Sequence, residues 1–367
     1  MTESKKDVRE LLRRAIHAGC APAAAAAWGR RGEELSSEVL GFSTLFPART
    51  QVSEETWFDL ASLTKPLVTT TLTLLAFRSG AMAPKTRVGE VLDEVRGTAV
   101  GELEVEQLLT HTAGLPAWLP LYCIAEGRQD LLATRLGDIR LEGRPGQQVV
   151  YSCVGFVTLG LMLARLADEG LDSLFRREVL KVVGLEGELG FKSELATHSL
   201  IGHAAESTVE MRMVKDLGFE QRWIPATGYD LPDDGNARFL GGLSGNAGLF
   251  GTVRGVVALA SEYLPGGGSL LSSAEVAEAT ALHTEGLEQG RGWGWQLGST
   301  PGCSAGQELS DGAFGHTGFT GVSVWCDPRT KNVFALLTNR NHPGQRGNDL
   351  HPLRRAFHRL AAGAFGE

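Results

Sequence analysis

Apolar positions near the N-terminus recur with helical spacing. Val8, Leu11, Leu12, Ala15 and Ile16 share one face and Arg13 and Arg14 fall outside it, which predicts an amphipathic helix over 8–19. The runs 23–28 and 38–42 then read as two short strands around a turn at Gly32. Helical periodicity returns over 62–79 through Leu67, Val68, Leu72, Leu75 and Ala76, with Gly80 placed to end the helix. Pro66 is tolerated only close to a helix N-terminus, so this helix begins no earlier than about Ser62.

From about residue 82 to 235 the pattern is helical and loop-rich, with one strongly apolar helix over 154–167. It then reverses. The runs 318–326 and 332–339 read as strands joined by the hairpin signal Asp327-Pro328-Arg329-Thr330, and a last helix over 350–362 turns Leu353, Ala356, Phe357 and Leu360 inward. Strands at both ends with helices between them predict an α/β (α+β) molecule whose sheet is built from both chain ends and flanked by helices. Residues 1–80 and 236–367 would form the sheet domain, and 81–235 an inserted, mainly helical domain. The scattered glycines and prolines act as punctuation, and no internal repeat is present.

Composition narrows the classes. With 367 residues, 43% hydrophobic and 21% charged, the chain is long enough to bury a large core, which excludes a disordered or disulfide-stapled peptide. A net charge of −8 without a basic block argues against nucleic acid or an anionic membrane surface as a partner. The first residues, MTESKKDVRELLRRAIHAG, carry no apolar leader-like stretch, and no run is long enough to span a bilayer. Five dispersed cysteines (Cys20, Cys123, Cys153, Cys303, Cys326) without a C-x-x-C pair read as reduced thiols. The expectation is a cytoplasmic protein.

Three short motifs carry candidate chemistry. Ser62-Leu63-Thr64-Lys65 sets a hydroxyl and an ammonium one turn apart on one helix face, where the helix N-terminus adds positive potential. Taken alone, it reads rather as a capping serine and a solvated lysine. Tyr151-Ser152-Cys153 precedes the apolar helix, and a phenol becomes a useful base only when a cation holds its anion. A tyrosine packed at a domain seam would look the same. Gly315-His316-Thr317-Gly318-Phe319-Thr320-Gly321 opens the strand that runs to Cys326, and its glycines let a backbone or a ligand approach closely; a glycine-rich bulge at a sheet edge is the alternative.

The order S-x-x-K, Tyr-Ser-x, x-T-G resembles the layout of the penicillin-recognising serine hydrolases, and the chain is similar to their class C β-lactamase-like branch with its esterases and D-peptidases. The segments Phe58-Asp59-Leu60-Ala61, Leu108 to Pro116 and Gly245-Asn246-Ala247-Gly248-Leu249-Phe250 extend the likeness over most of the chain. The resemblance implies a β-lactamase/transpeptidase-like fold with an antiparallel sheet. It implies Ser62 as nucleophile and Lys65 as the centre of the proton network, keeping Tyr151 partly ionised. Tyr151 would be general base and then acid, and the amides of Ser62 and Phe319 the oxyanion hole. His316, Thr317 and Gly318 would form the strand-edge triplet, His316 with a catalytic role and Thr317, Gly318 and Phe319, with Cys153, binding substrate. No metal and no cofactor is implied.

Two positions depart from that pattern. Cys153 stands where β-lactamases of the family carry asparagine, and a thiol is a weak donor and acceptor for a substrate amide. His316 stands where lysine is usual, and a mostly neutral imidazole weakens a fixed cation for a substrate carboxylate. Both point to an ester or amide hydrolase of small molecules rather than a dedicated β-lactamase. An acyltransferase of the same fold and a catalytically inactive penicillin-binding-like scaffold are the alternatives. His111 reads as a residue that ties loops together, and Trp293 and Trp295 as strand packing. Asp233, Asp234 and Asn236 resemble a loop beside the cleft.

Overall fold

The computed structural model describes residues 3–45, 48–191, 208–219, 231–266, 268–342 and 349–363. Strands β1 (Ala23–Arg30), β2 (Ser36–Thr44), β3 (Thr50–Gln51), β7 (Gln296–Leu297), β8 (Phe314–Thr317), β9 (Ser323–Asp327) and β10 (Asn332–Thr338) form one antiparallel sheet in the order β3-β2-β1-β10-β9-β8-β7. The two chain ends meet at its centre, with Ala24 opposite Thr338 and Trp28 opposite Phe334.

A run of five alanines makes an unusual central strand, and the reason is burial on both faces. Ala23, Ala25 and Ala27 enter one core, while Ala24, Ala26 and Trp28 enter another. Strand β10 alternates the same way, Val333, Ala335 and Leu337 against Phe334 and Leu336. A strand covered on both sides reads as a continuous apolar run, and small side chains let the covering helices approach.

Among the described residues the helices of eight residues or more are α1 (Glu3–His17), α2 (Thr71–Ser79), α3 (Cys153–Ala167), α4 (Thr208–Asp216), α5 (Val253–Ser261), α6 (Ser273–Thr280) and α7 (His351–Ala362). Helices α1 and α7 cover one face of the sheet, through Val8 and Leu12 and through Leu353 and Phe357, with Trp28 meeting Phe357 edge to face at 6.0 Å. Helices α2, α3 and α5 belong to the larger core on the other side. None of the described helices is long and apolar enough to cross a membrane.

Two expectations change in detail. The predicted helix over 62–79 starts as a short 3-10 turn (Ala61–Leu63), widens into a π-helical stretch (Lys65–Thr70) and only then becomes α2, which Gly80 ends in the left-handed conformation. The predicted strand over 318–326 is interrupted: β8 stops at Thr317, Gly318 and Gly321 close a tight turn, and β9 begins at Ser323. Gly321 has φ 97°, and a Cβ there would lie 2.0 Å from Thr338 Oγ1. Only glycine turns the chain this way.

A second, three-stranded sheet of β4 (Phe58–Asp59), β6 (Phe250–Gly251) and β5 (Leu189–Gly190) joins segments distant in sequence just ahead of Ser62.

Candidate active site

Strand β4 leads directly into the Ser62 turn. Leu60 N–H donates to Leu249 O at 2.9 Å, and the Asp59 carboxylate accepts the Ala61 N–H at 2.8 Å. Ala61 sits at φ 45°, a costly backbone for a non-glycine residue, immediately before the serine. The π-helical stretch that follows is a second irregularity of the kind concentrated at functional sites.

Lys65 is fully buried beneath that turn. Its ammonium donates to Ser62 Oγ at 3.1 Å, to Asn246 O at 2.9 Å and to Cys153 Sγ at 3.5 Å, and it lies 4.9 Å from the centre of the Tyr151 ring. Side chains of two separate motifs therefore meet, Ser62 and Lys65 of the first with Tyr151 and Cys153 of the second. What brings them together is close packing of glycines: the Gly245 backbone rests on α3 at Gly160, and a Cβ on Gly245 would lie 2.1 Å from Phe156 O. Thr69 Oγ1 adds a bond to Gly245 O at 2.6 Å, fastening the segment that contains Asn246 to the Ser62 helix.

Tyr151 precedes Ser152, whose hydroxyl caps α3 by accepting the Gly155 N–H. Ser152 N–H in turn donates to His111 Nδ1 at 3.0 Å, and the His111 ring lies 4.6 Å from that of Tyr151. His111 ties loops together, as its sequence context suggested. Burial, with Arg291, Lys65 and His316 nearby, holds its pKa well below the ordinary imidazole value, so the ring is neutral.

The expected ionisation of Tyr151 is not what the environment favours. Burial raises the phenol above its ordinary value, outweighing the pull of Lys65. Burial works against the charge of Lys65 as well, yet the Cys153 and Tyr151 groups beside it leave its pKa raised overall. At neutral pH the pair therefore holds both protons, as phenol and ammonium.

The His316-Thr317-Gly318 triplet ends β8 against the Ser62 turn. A Cβ on Gly318 would lie 3.0 Å from Leu60 O and 3.2 Å from Ala61 Cβ, and Thr320 Oγ1 donates to Asp59 O at 2.7 Å. Four carbonyls of the turn are held by side chains: Gly318 and Val322 accept from Arg354, Phe319 from Arg340 and Thr320 from Thr338. Among the described residues the amides of Ser62 and Phe319 donate to no protein group. The His316 ring is buried and neutral, its pKa held well below the ordinary value by burial and by Lys65 and Arg291. Its Nδ1 lies 2.8 Å from Thr317 O.

Two cavities meet at Ser62, Tyr151 and Phe319. One, of about 240 Å³, is lined by Ala61, Ala117, Trp118, Cys153, Val209, Met213 and Ala247 together with the acidic residues Glu210, Asp233 and Asp234. The other, of about 400 Å³, is polar and lined by His316, Thr317 and Gly318 together with Arg291, Arg340 and Arg354.

Arg291 escaped the sequence reading. It is 5% exposed, lies 5.9 Å from the centre of the Tyr151 ring, and is held down to about 10 by burial. The cation missing at position 316 is thus present nearby on a different segment. Its one sequence signal is an arginine enclosed by glycines and tryptophans in Gly290-Arg291-Gly292-Trp293-Gly294-Trp295. Trp293 and Trp295 pack as expected, against Phe77 and against Tyr263 and Phe314. Asp234 caps the short helix Gly235–Phe239, and Asn236 accepts Leu121 N–H and donates to Leu119 O.

The family model described as Beta-lactamase matches residues 8–359. The chain belongs to the Beta-lactamase family. Among curated proteins, a putative D-alanyl-D-alanine carboxypeptidase of Escherichia coli (strain K12) is 26% identical over 324 residues, covering 82% of this chain and 73% of that protein. Among solved structures, a class C β-lactamase superposes with a TM-score of 0.74 at 18% identity, covering 100% of this chain and 97% of the other. EstCE1, a hydrolase with promiscuous acyltransferase activity, gives 0.72 at 22% identity over 97% and 99%. These likenesses establish a β-lactamase/transpeptidase fold. Among the described residues no group of three or more His, Cys, Asp or Glu side chains is placed to hold a metal ion.

Proposed function

We propose that this Beta-lactamase-family protein is a serine hydrolase that cleaves a small ester or amide through an acyl-Ser62 intermediate. The observation that carries the reading is Lys65 Nζ at 3.1 Å from Ser62 Oγ, under the Tyr151 ring, where two cavities open. In the form of the Lys65–Tyr151 pair that is one proton short, Ser62 Oγ attacks the acyl carbon and its proton passes to the Tyr151 oxygen. The developing oxyanion takes hydrogen bonds from the Ser62 and Phe319 amides, each worth roughly 3–4 kcal/mol of barrier. Tyr151 then protonates the departing alcohol or amine, and water repeats the sequence to free Ser62.

Cys153 favours esters over penicillins within this chemistry. Where an asparagine would offer two donors and an acceptor, the thiol accepts a long bond from Lys65 and offers a substrate amide little. Acyl transfer to an alcohol or amine is the second reading. The polar cavity beside Ser62 supports it, because an acceptor can enter there once the first fragment has left.

The test is intact-mass measurement after incubation with a fluorophosphonate, on wild type and Ser62→Ala. One adduct on wild type and none on the variant is expected. An adduct retained by Ser62→Ala overturns the nucleophile assignment, and no adduct on wild type at saturating reagent supports an inactive scaffold.

A further inference from the structure

We propose that Arg354 is a positioning residue for the oxyanion site, holding and polarising the Gly318–Phe319 peptide group whose N–H stabilises the developing charge. The inference rests on the acyl-serine reading and names a residue that acts in it through another group.

The carbonyl of Gly318 and the N–H of Phe319 belong to one planar unit, so whatever binds the oxygen also sets the direction of the N–H. Arg354 Nη2 donates to that oxygen at 3.3 Å, beside Gly321 N–H at 3.0 Å. The same Nη2 donates to Val322 O at 2.9 Å, and Val322 O also accepts Gly318 N–H at 2.8 Å. One guanidinium thus joins both ends of the turn. Arg340 bonds Phe319 O, which belongs to the next peptide unit.

The turn needs such a support. Gly318 and Gly321 carry no side chain to limit backbone rotation, so a 318–319 peptide without a fixed partner on its oxygen can swing its N–H away from Ser62. Arg354 is a rigid anchor. It is 4% exposed and stands on α7, which Leu353 and Phe357 fasten into the core, Phe357 against Trp28.

Charge adds to geometry. Burial lowers the pKa of Arg354 to about 10, with Arg340 adding to the fall and Asp349 opposing it, so the guanidinium is charged at neutral pH. A cation on an amide oxygen draws electron density from the N–H and makes it a stronger donor, the more so where water is excluded. At the other donor, the side chain bonded to Ala61 O among the described residues is the neutral Thr64 hydroxyl, at 2.7 Å, and Ala61 O shares its peptide unit with the Ser62 amide. The Phe319 amide is therefore the stronger donor of the two.

The experiment compares phenyl acetate with its thionoester, O-phenyl thioacetate, on the full chain. Attack on the thionoester places the developing charge on sulfur, a weak acceptor. The ratio of the two kcat/KM values, each divided by the substrate's hydroxide rate constant, therefore reads the oxyanion bonds. Removing an oxyanion donor outright costs about 100- to 1,000-fold in kcat, and weakening one costs less. Arg354→Gln keeps a donor and loses the charge, and is expected to lower the ratio about 10-fold, through kcat rather than KM. Arg354→Lys keeps the charge without the planar fork that fixes its direction, and should lower the ratio about threefold. A packing role would slow both substrates alike. A ratio within about 1.5-fold of wild type in either variant, once thermal melting shows it folded, overturns the proposal, and Arg354→Lys decides alone where the glutamine variant fails to fold. A wild type without Ser62-dependent turnover removes the acyl-serine reading. Turnover with unchanged ratios leaves that chemistry intact and removes this proposal alone.

Discussion

His111 Nδ1 accepts the backbone N–H of Ser152 at 3.0 Å. That bond fixes the neutral tautomer with its proton on Nε2, and it sets the residue that follows Tyr151 in the chain. His111 itself lies at φ 60°, so its loop is strained to present the ring.

Replacing His111 with alanine leaves the Ser152 amide buried without an acceptor and opens a gap beside the Tyr151 ring. Stability is expected to fall by about 1–3 kcal/mol. The rate of Ser62 labelling by a fluorophosphonate should fall about 10- to 100-fold, since a small displacement of a catalytic phenol is expensive. Urea unfolding and labelling kinetics measure the two separately. A labelling rate equal to wild type would reduce His111 to a purely structural role.

The protonation of Tyr151 and Lys65 sets the pH dependence. Burial raises the phenol, and Lys65 also lies above its ordinary value, so the resting pair carries one proton too many at neutral pH. Log kcat/KM for a neutral ester should therefore climb by about one unit per pH unit from pH 7 upward, until the first macroscopic pKa of the pair. The profile is measured from pH 6 to 10 with the Ser62→Ala rate subtracted. A plateau already reached at pH 7 would mean that the phenol is ionised in the resting protein.

Cys153→Asn is expected to change selectivity more than rate. A carboxamide at this position can accept from Lys65 and still present donors to a substrate amide, which the thiol at 3.5 Å cannot match. The second-order rate constant for acylation by a fluorescent penicillin should rise about 10-fold or more relative to that for an aryl ester. An unchanged ratio would show that side-chain amide recognition is made elsewhere.

Asp59 and Asp233 form a buried carboxylate pair next to the nucleophile turn. Asp59 accepts the amides of Ala61 and Asp233, while Asp233 accepts from Asn341 through Oδ2 and keeps Oδ1 unpartnered. Burial pushes Asp59 up to about 6, with the nearby Asp234 charge adding to it, and pushes Asp233 up to about 7, with the Asp59 charge adding to it. Both folded values lie above the ordinary carboxylate value, so between about pH 4 and 7 the folded state holds more protons than the unfolded one. Stability consequently falls as pH rises through that window. Asp233→Asn removes one buried charge and should raise Tm at pH 8 while leaving Tm at pH 4.5 nearly unchanged. Thermal melts at the two pH values check this. Equal shifts at both would remove the electrostatic explanation.

Much of the scaffold was legible along the chain because it rests on local periodicity. The continuous apolar runs of β1 and β10, the amphipathic faces of α1 and α7 and the glycine that ends α2 all follow from neighbours a few residues apart. The break between β8 and β9 was not legible. The motif from Gly315 to Gly321 reads as one extended run until Thr338 and Arg354, from later segments, bind the carbonyls of the turn.

The candidate site divides in the same way. Ser62 and Lys65 are one helical turn apart, so their sequence spacing alone made them neighbours. Arg291 carries no such spacing, and its place beside Tyr151 depends on how β7 docks onto β8.

What the amino-acid order determined by itself was the sheet built from both chain ends, the Ser62–Lys65 pair and the family-like order of the three motifs, all consequences of short-range geometry. Only the tertiary structure decided which groups share the cleft and how they are charged. Solvent exclusion and the convergence of distant segments govern those properties: they keep Tyr151 protonated and His316 neutral and, among the described residues, leave Arg291 outside any ion pair, and none of these follows from residue type.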